Sequence, residues 1–107
     1  MSRLSEVLDR LAATIEARRG ADPSESWTAK LLADPTLAAK KLGEEAVETV
    51  LAAALKDRDA LAAESADVLY HLLALLAASG VSLDEVAAKL EAREGRSGVA
   101  EKASRTP

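Results

Sequence analysis

Residues 35–79 read PTLAAKKLGEEAVETVLAAALKDRDALAAESADVLYHLLALLAAS, and this stretch sets the architecture. It opens on a helix start signal, with Asp34 as N-cap and Pro35 in the first helical position. The spacing predicts a helix from Pro35 to about Leu55. The polar cluster Lys56-Asp57-Arg58-Asp59 then reads as a tight turn, and a second helix runs to Ser79 and stops at Gly80. Two long helices joined by so short a turn pack antiparallel as a helical hairpin.

Acidic residues stand on that hairpin where apolar ones are expected. At about 100° per residue, Glu45 and Glu48 share one helix face with Ala38, Lys41, Leu42, Thr49, Ala52 and Leu55. The opposite face carries Val47, Val50, Leu51 and Ala54, so the helix is apolar on two sides, as when sandwiched between partners. On the second helix Glu64 and Asp67, again three apart, share a face with Ala60, Leu61, Val68, His71, Leu75 and Ala78. Opposite them lie Ala62, Leu69, Leu73 and Leu76. A Glu pair at this spacing is ordinarily a solvated surface pair, but that reading calls for polar neighbours, and these are Ala, Leu and Val. Four carboxylates inside an apolar hairpin repel one another and lose hydration. Lys41 alone cannot offset both costs, whereas a divalent cation can. Magnesium, or manganese in its place, takes carboxylate oxygens and bridges phosphates. Di-iron bundles use inward carboxylates too, but add a histidine three residues after a glutamate; Glu48 and Asp67 stand at those positions.

On either side of the hairpin the helical signals continue. Leu4, Val7, Leu8, Leu11 and Ile15 recur at helical spacing, predicting a first helix from after Ser2 to near Gly20. Residues 21–26 form a loop. Ser26 caps a short helix from Trp27 to Ala33, and Ser82 with Glu85 makes a capping box for a last helix from Leu83 to about Glu94. The expected fold class is all-α, with four helices, two of them long and antiparallel. Residues 1–95 form the domain, and residues 96–107 a basic tail.

Composition bounds the rest. Of 107 residues half are hydrophobic, chiefly Ala and Leu, and only 2% are aromatic, which favours helices and leaves each of them little to bury. A dimer, or a higher homo-oligomer, is therefore expected to complete the core through the Val47/Val50/Leu51 or the Leu69/Leu73/Leu76 face. The chain has no cysteine, hence neither disulfides nor thiolate metal sites. A net charge of −4 argues against nucleic-acid binding, which wants a basic footprint. The first residues do not read as a signal peptide, and the apolar run Val68–Ala78 is too short to span a bilayer. A cytoplasmic protein without membrane contact is expected.

Lys41-Leu42-Gly43-Glu44-Glu45-Ala46-Val47-Glu48, followed by Glu64-Ser65-Ala66-Asp67, resembles the Glu-x-x-Glu … Glu-x-x-Asp signature of the MazG-like all-α nucleoside triphosphate pyrophosphatases. Three further segments narrow the resemblance to the phosphoribosyl-ATP pyrophosphohydrolase family. These are Ser26-Trp27-Thr28-Ala29-Lys30-Leu31, Asp67-Val68-Leu69-Tyr70-His71, and the tail Ser97-Gly98-Val99-Ala100-Glu101-Lys102-Ala103-Ser104-Arg105. The resemblance runs over nearly the whole chain, without departure at the four acidic positions.

It implies hydrolysis of phosphoribosyl-ATP to phosphoribosyl-AMP and pyrophosphate, the second step of histidine biosynthesis, assisted by magnesium. The metal ligands are then Glu45, Glu48, Glu64 and Asp67. Glu45 and Glu48 are also catalytic, with Glu44 either orienting the attacking water or facing solvent. Lys30, Lys41, Lys102 and Arg105 are the candidate substrate-binding residues, although lysines on a helix, Lys40 among them, are ordinarily only solvated. Gly43 either admits a close phosphate or neighbouring backbone or is a tolerated helix glycine. His71 reads as a satisfied core residue and Trp27 as a packing anchor. Two other functions compete: a house-cleaning (deoxy)nucleoside triphosphate pyrophosphatase of the same superfamily, and a non-catalytic helical dimerisation module. The acidic quartet speaks against the second.

Overall fold

A computed structural model describes residues 2–95. Within them the chain is all-helical, with α1 Arg3–Ala17, α2 Trp27–Ala33, α3 Pro35–Ala54, α4 Arg58–Ala78 and α5 Leu83–Glu91. The number is five rather than the expected four, a count that left out the short Trp27–Ala33 helix; as α2 it packs against both α3 and α4. Each helix starts on a residue whose side chain accepts a backbone N–H from its first turn: Ser2, Ser26, Asp34, Asp57 and Ser82. Ser82 and Glu85 close the anticipated capping box. Helix α1 ends sooner than expected, at Ala17, and α5 ends at Glu91, each running out through turns to a left-handed glycine, Gly20 and Gly95.

The turn between the long helices is tighter than its charge cluster implied. Asp57 accepts the N–H of Ala60 at 3.0 Å, so Arg58 and Asp59 already belong to α4. Helix α3 closes with Asp57 N–H donating to the Ala52 carbonyl and Lys56 N–H to that of Ala53, both 3.1 Å. This two-bond cap sets the residue after the C-cap in the left-handed region, and here it is Lys56, with φ of 58°. Lys56→Gly should therefore raise stability by about 0.5–1 kcal/mol, relief of the Cβ clash exceeding the added chain entropy. Thermal melting checks this; a lower Tm would contradict it.

Helices α3 and α4 make the most extensive contact, and α4 also receives α2 and α1. The core is small, as the alanine-rich composition dictates. Leu31, Ala38 and Ala74 form its centre, with Leu37, Tyr70 and Leu75 packed around them. Ile15 and Leu31 are the largest side chains fully enclosed among the described residues. Of the two faces considered for a dimer, Leu73 is buried within the chain itself, while Val47, Val50 and Leu51 stand 59, 66 and 55% exposed. The whole of α4 is long and apolar enough to cross a membrane by length and composition, unlike the Val68–Ala78 run considered alone. In this fold it is the central helix against which α1, α2 and α3 pack.

Candidate metal centre and phosphate site

Glu45 and Glu48 project from the middle of α3 towards Glu64 of α4. One carboxylate oxygen from each of these three residues lies within 4.8 Å of the others. The antiparallel hairpin produces this approach, since two residues three apart on one helix face meet a residue on the helix that folds back. Glu45 and Glu64 are partly buried and Glu48 is exposed, so the cluster lies at an edge of the hairpin rather than wholly inside it. Its inner oxygens are enclosed all the same: Glu45 Oε2 and Glu64 Oε2 are shut off from solvent and have no hydrogen-bond partner.

Crowding of like charge shows in the protonation of Glu64. The close Glu48 carboxylate, loss of hydration, and the neighbouring Glu45 carboxylate push its carboxyl up to about 7 from 4.5. Buried polar atoms without partners are costly, and three carboxylates this close cannot all be ionised cheaply. No lysine or arginine among the described residues pairs with any of the three. Enclosed, unpartnered carboxylate oxygens in an all-oxygen set fit a hard divalent cation.

Of the other anticipated residues, Asp67 and Glu44 are neighbours of the cluster along their helices. Asp67 is exposed, and its carboxylate is not among the three within 4.8 Å; its backbone carbonyl accepts from His71 Nδ1 at 2.8 Å. Glu44 is exposed and accepts from Lys41 Nζ at 3.1 Å, turned towards the preceding turn of α3. Gly43 has open space where a Cβ would stand, so no neighbouring backbone approaches it closely. Lys30 and Lys41, from different helices, both lie over the Trp27 ring, 5.8 and 5.7 Å from its centroid. Lys102 and Arg105 lie outside the described residues.

Sequence reading missed the way α2 is fastened to α4. Thr28 Oγ1 and Tyr70 Oη share a hydrogen bond of 2.6 Å, and Trp27 Nε1 donates to His71 Nε2 at 3.5 Å. The segments Ser26–Leu31 and Asp67–His71 thus fasten to one another. His71 is buried with both ring nitrogens engaged. The i, i+3 spacing of Trp27 to Lys30 and of Lys41 to Glu44 carried a signal for half of this network; the contacts between helices had none.

The sequence profile of the family described as phosphoribosyl-ATP pyrophosphohydrolase matches residues 8–94. The chain is 79% identical over 103 residues to a protein of Caulobacter vibrioides named phosphoribosyl-ATP pyrophosphatase, covering 96% of each. It is 72% identical over 105 residues to one so named from Caulobacter sp. strain K31, covering 98% of each. A third with this name, from Cereibacter sphaeroides, is 65% identical over 100 residues, 92% of this chain and 97% of the relative.

Proposed function

This chain belongs to the phosphoribosyl-ATP pyrophosphohydrolase family, and on that basis we propose that Glu45, Glu48, Glu64 and Asp67 hold magnesium against the phosphates of its substrate. The protein is a hydrolase of histidine biosynthesis that converts 1-(5-phosphoribosyl)-ATP to 1-(5-phosphoribosyl)-AMP and pyrophosphate. The observation that carries the metal reading is the pair of enclosed, unpartnered oxygens on Glu45 and Glu64 inside a three-carboxylate cluster. Manganese suits the same oxygens.

Bound magnesium supplies positive charge that neutralises phosphate oxygens as pyrophosphate leaves. The chain supplies positioning. Glu45 and Glu48 on α3 and Glu64 on α4 fix donor oxygens on a rigid hairpin, and Asp67, one turn beyond Glu64, extends the acidic edge. Glu44, beside Glu45, orients the attacking water from the rim of the cluster. Lys30 and Lys41 hold phosphates as point charges. The tail, residues 96–107, closes the list with Lys102 and Arg105 gripping the outer phosphates or the ribosyl phosphate. The exposed Val47/Val50/Leu51 face of α3 is the surface through which a second copy completes the core. We place the enzyme in solution, in the cytoplasm, where α4 serves as the helix on which α1, α2 and α3 pack. The names of the relatives favour this substrate over the deoxynucleoside triphosphates of the house-cleaning alternative.

The test is product analysis. With magnesium present, phosphoribosyl-ATP should yield pyrophosphate and phosphoribosyl-AMP much faster than any deoxynucleoside triphosphate is split; the reverse preference would sink this reading. Deleting the chain after Gly95 removes Arg96, Lys102 and Arg105 but no proposed metal ligand. It should raise KM with little change in kcat, the mark of lost binding common to ground and transition states. A wild-type KM would leave the tail only a solubilising role.

A further inference from the structure

Trp27 is the only tryptophan and stands half-exposed at the start of α2. Its rim is braced by α4. The His71 ring meets it edge-on, centroids 6.5 Å apart at 72°, and Tyr70 meets His71 in the same manner at 4.9 Å and 83°. A carbonyl only accepts, so the 2.8 Å contact with the Asp67 carbonyl puts the histidine proton on Nδ1. Nε2 is then the acceptor for the donor-only indole nitrogen. These contacts fix the plane of the indole and leave its faces to cations.

Lys30 from α2 and Lys41 from α3 both reach the ring, 5.8 and 5.7 Å from its centroid, although two ammonium groups drawn to one ring repel each other. The negative face of an indole offsets part of that repulsion. Among the described residues Lys30 has no carboxylate within 4.0 Å, and Lys41 has only Glu44, itself half in solvent. Lys41 precedes Glu45 by one helical turn and pairs with Glu44, so its stem leaves α3 next to the carboxylate cluster.

We propose that Trp27 is a positioning residue for phosphate binding: its indole gathers the Lys30 and Lys41 ammoniums into one grip for an oligophosphate beside the acidic cluster. The proposal rests on the reading above that these lysines bind substrate phosphates. Long lysine side chains held in place lose less rotamer freedom when an anion arrives. Among the described residues no salt bridge joins α2 to α3, whereas the ring draws a lysine from each.

Calorimetric titration of the full chain with inorganic pyrophosphate tests it, alongside steady-state kinetics on phosphoribosyl-ATP. Trp27→Leu should weaken pyrophosphate binding about tenfold, the ordering of two long side chains that the ring no longer holds in place, and raise KM by a similar factor with little change in kcat. Trp27→Phe keeps an aromatic face and should recover most of the loss. In a Lys30→Met/Lys41→Met background Trp27→Leu should add less than about twofold, because residues acting through one another are not additive. A full additional loss in that background would overturn the proposal, as would a folded Trp27→Leu with wild-type affinity. Should Trp27→Leu not fold, the emission of Trp27 in the otherwise wild-type chain decides. It should change on saturation with pyrophosphate, and not in the double lysine variant; an unchanged wild-type emission would overturn the proposal. Lysine-dependent pyrophosphate binding in a chain that fails to split phosphoribosyl-ATP would support the grip and sink the proposed reaction separately.

Discussion

Glu45→Gln should lower turnover at least about a hundredfold while the protein stays folded. The change keeps the size of the side chain and its hydrogen-bonding capacity and deletes one negative charge from the cluster. Groups that stabilise charge developing in the transition state are worth roughly 10²–10³ in kcat when a single one is lost. The enclosed Glu45 oxygen has no partner to lose, and deleting the charge relieves its crowding with Glu48 and Glu64. The effect should fall on kcat, whereas the Trp27 and tail variants should act on KM. Steady-state kinetics separates the two, and an active Glu45→Gln would mean that the metal has been placed on the wrong residues.

The second large effect is on stability, and its sign follows from Glu64. Without metal its carboxyl titrates at about 7 in the folded chain, against 4.5 for an unperturbed glutamate. Its contribution to stability is therefore fully present below 4.5 and is lost as pH rises through about 7, because between those values the folded state holds a proton that the unfolded state has released. The metal-free protein should melt progressively lower across this window. Magnesium should reverse the trend by displacing that proton, its affinity rising with pH up to about 7. At a hundredfold excess over Kd such binding contributes about 2.7 kcal/mol, a rise in Tm on the order of 10 °C for a chain of this size. Glu64→Gln with Asp67→Asn should abolish the metal dependence, raise metal-free stability and flatten the pH trend. Asp67→Asn alone tells whether the exposed Asp67 joins the three carboxylates that already meet. An unchanged metal response in the double variant would remove these residues from the site.

Much of this was legible in the sequence, for physical reasons. Ser26, Asp34 before Pro35, and the Ser82/Glu85 box each name a helix start because side-chain oxygens satisfy backbone donors there. Glu45, Glu48 and Glu64 stood out because their helix-face neighbours were apolar. The Lys56–Asp59 cluster reads as a turn because four charged residues in a row look like a loop, although Asp57 lies three before Ala60 and caps it. Helix periodicity gives a face but not depth. It could not say that Glu48 and Asp67 would be exposed while oxygens of Glu45 and Glu64 were enclosed. The two lysines on Trp27 depend on where α2 settles against α3 and α4, which no local spacing records.

That the Glu45/Glu48/Glu64 cluster holds a divalent cation can be asked of manganese. This ion suits an all-oxygen site and is visible by electron paramagnetic resonance while free in solution. Titrated into the metal-free protein, its free-ion signal should stay suppressed until the site fills. Glu64→Gln, folded by circular dichroism, should lose that suppression. Equal manganese binding by wild type and Glu64→Gln would put the cation somewhere else.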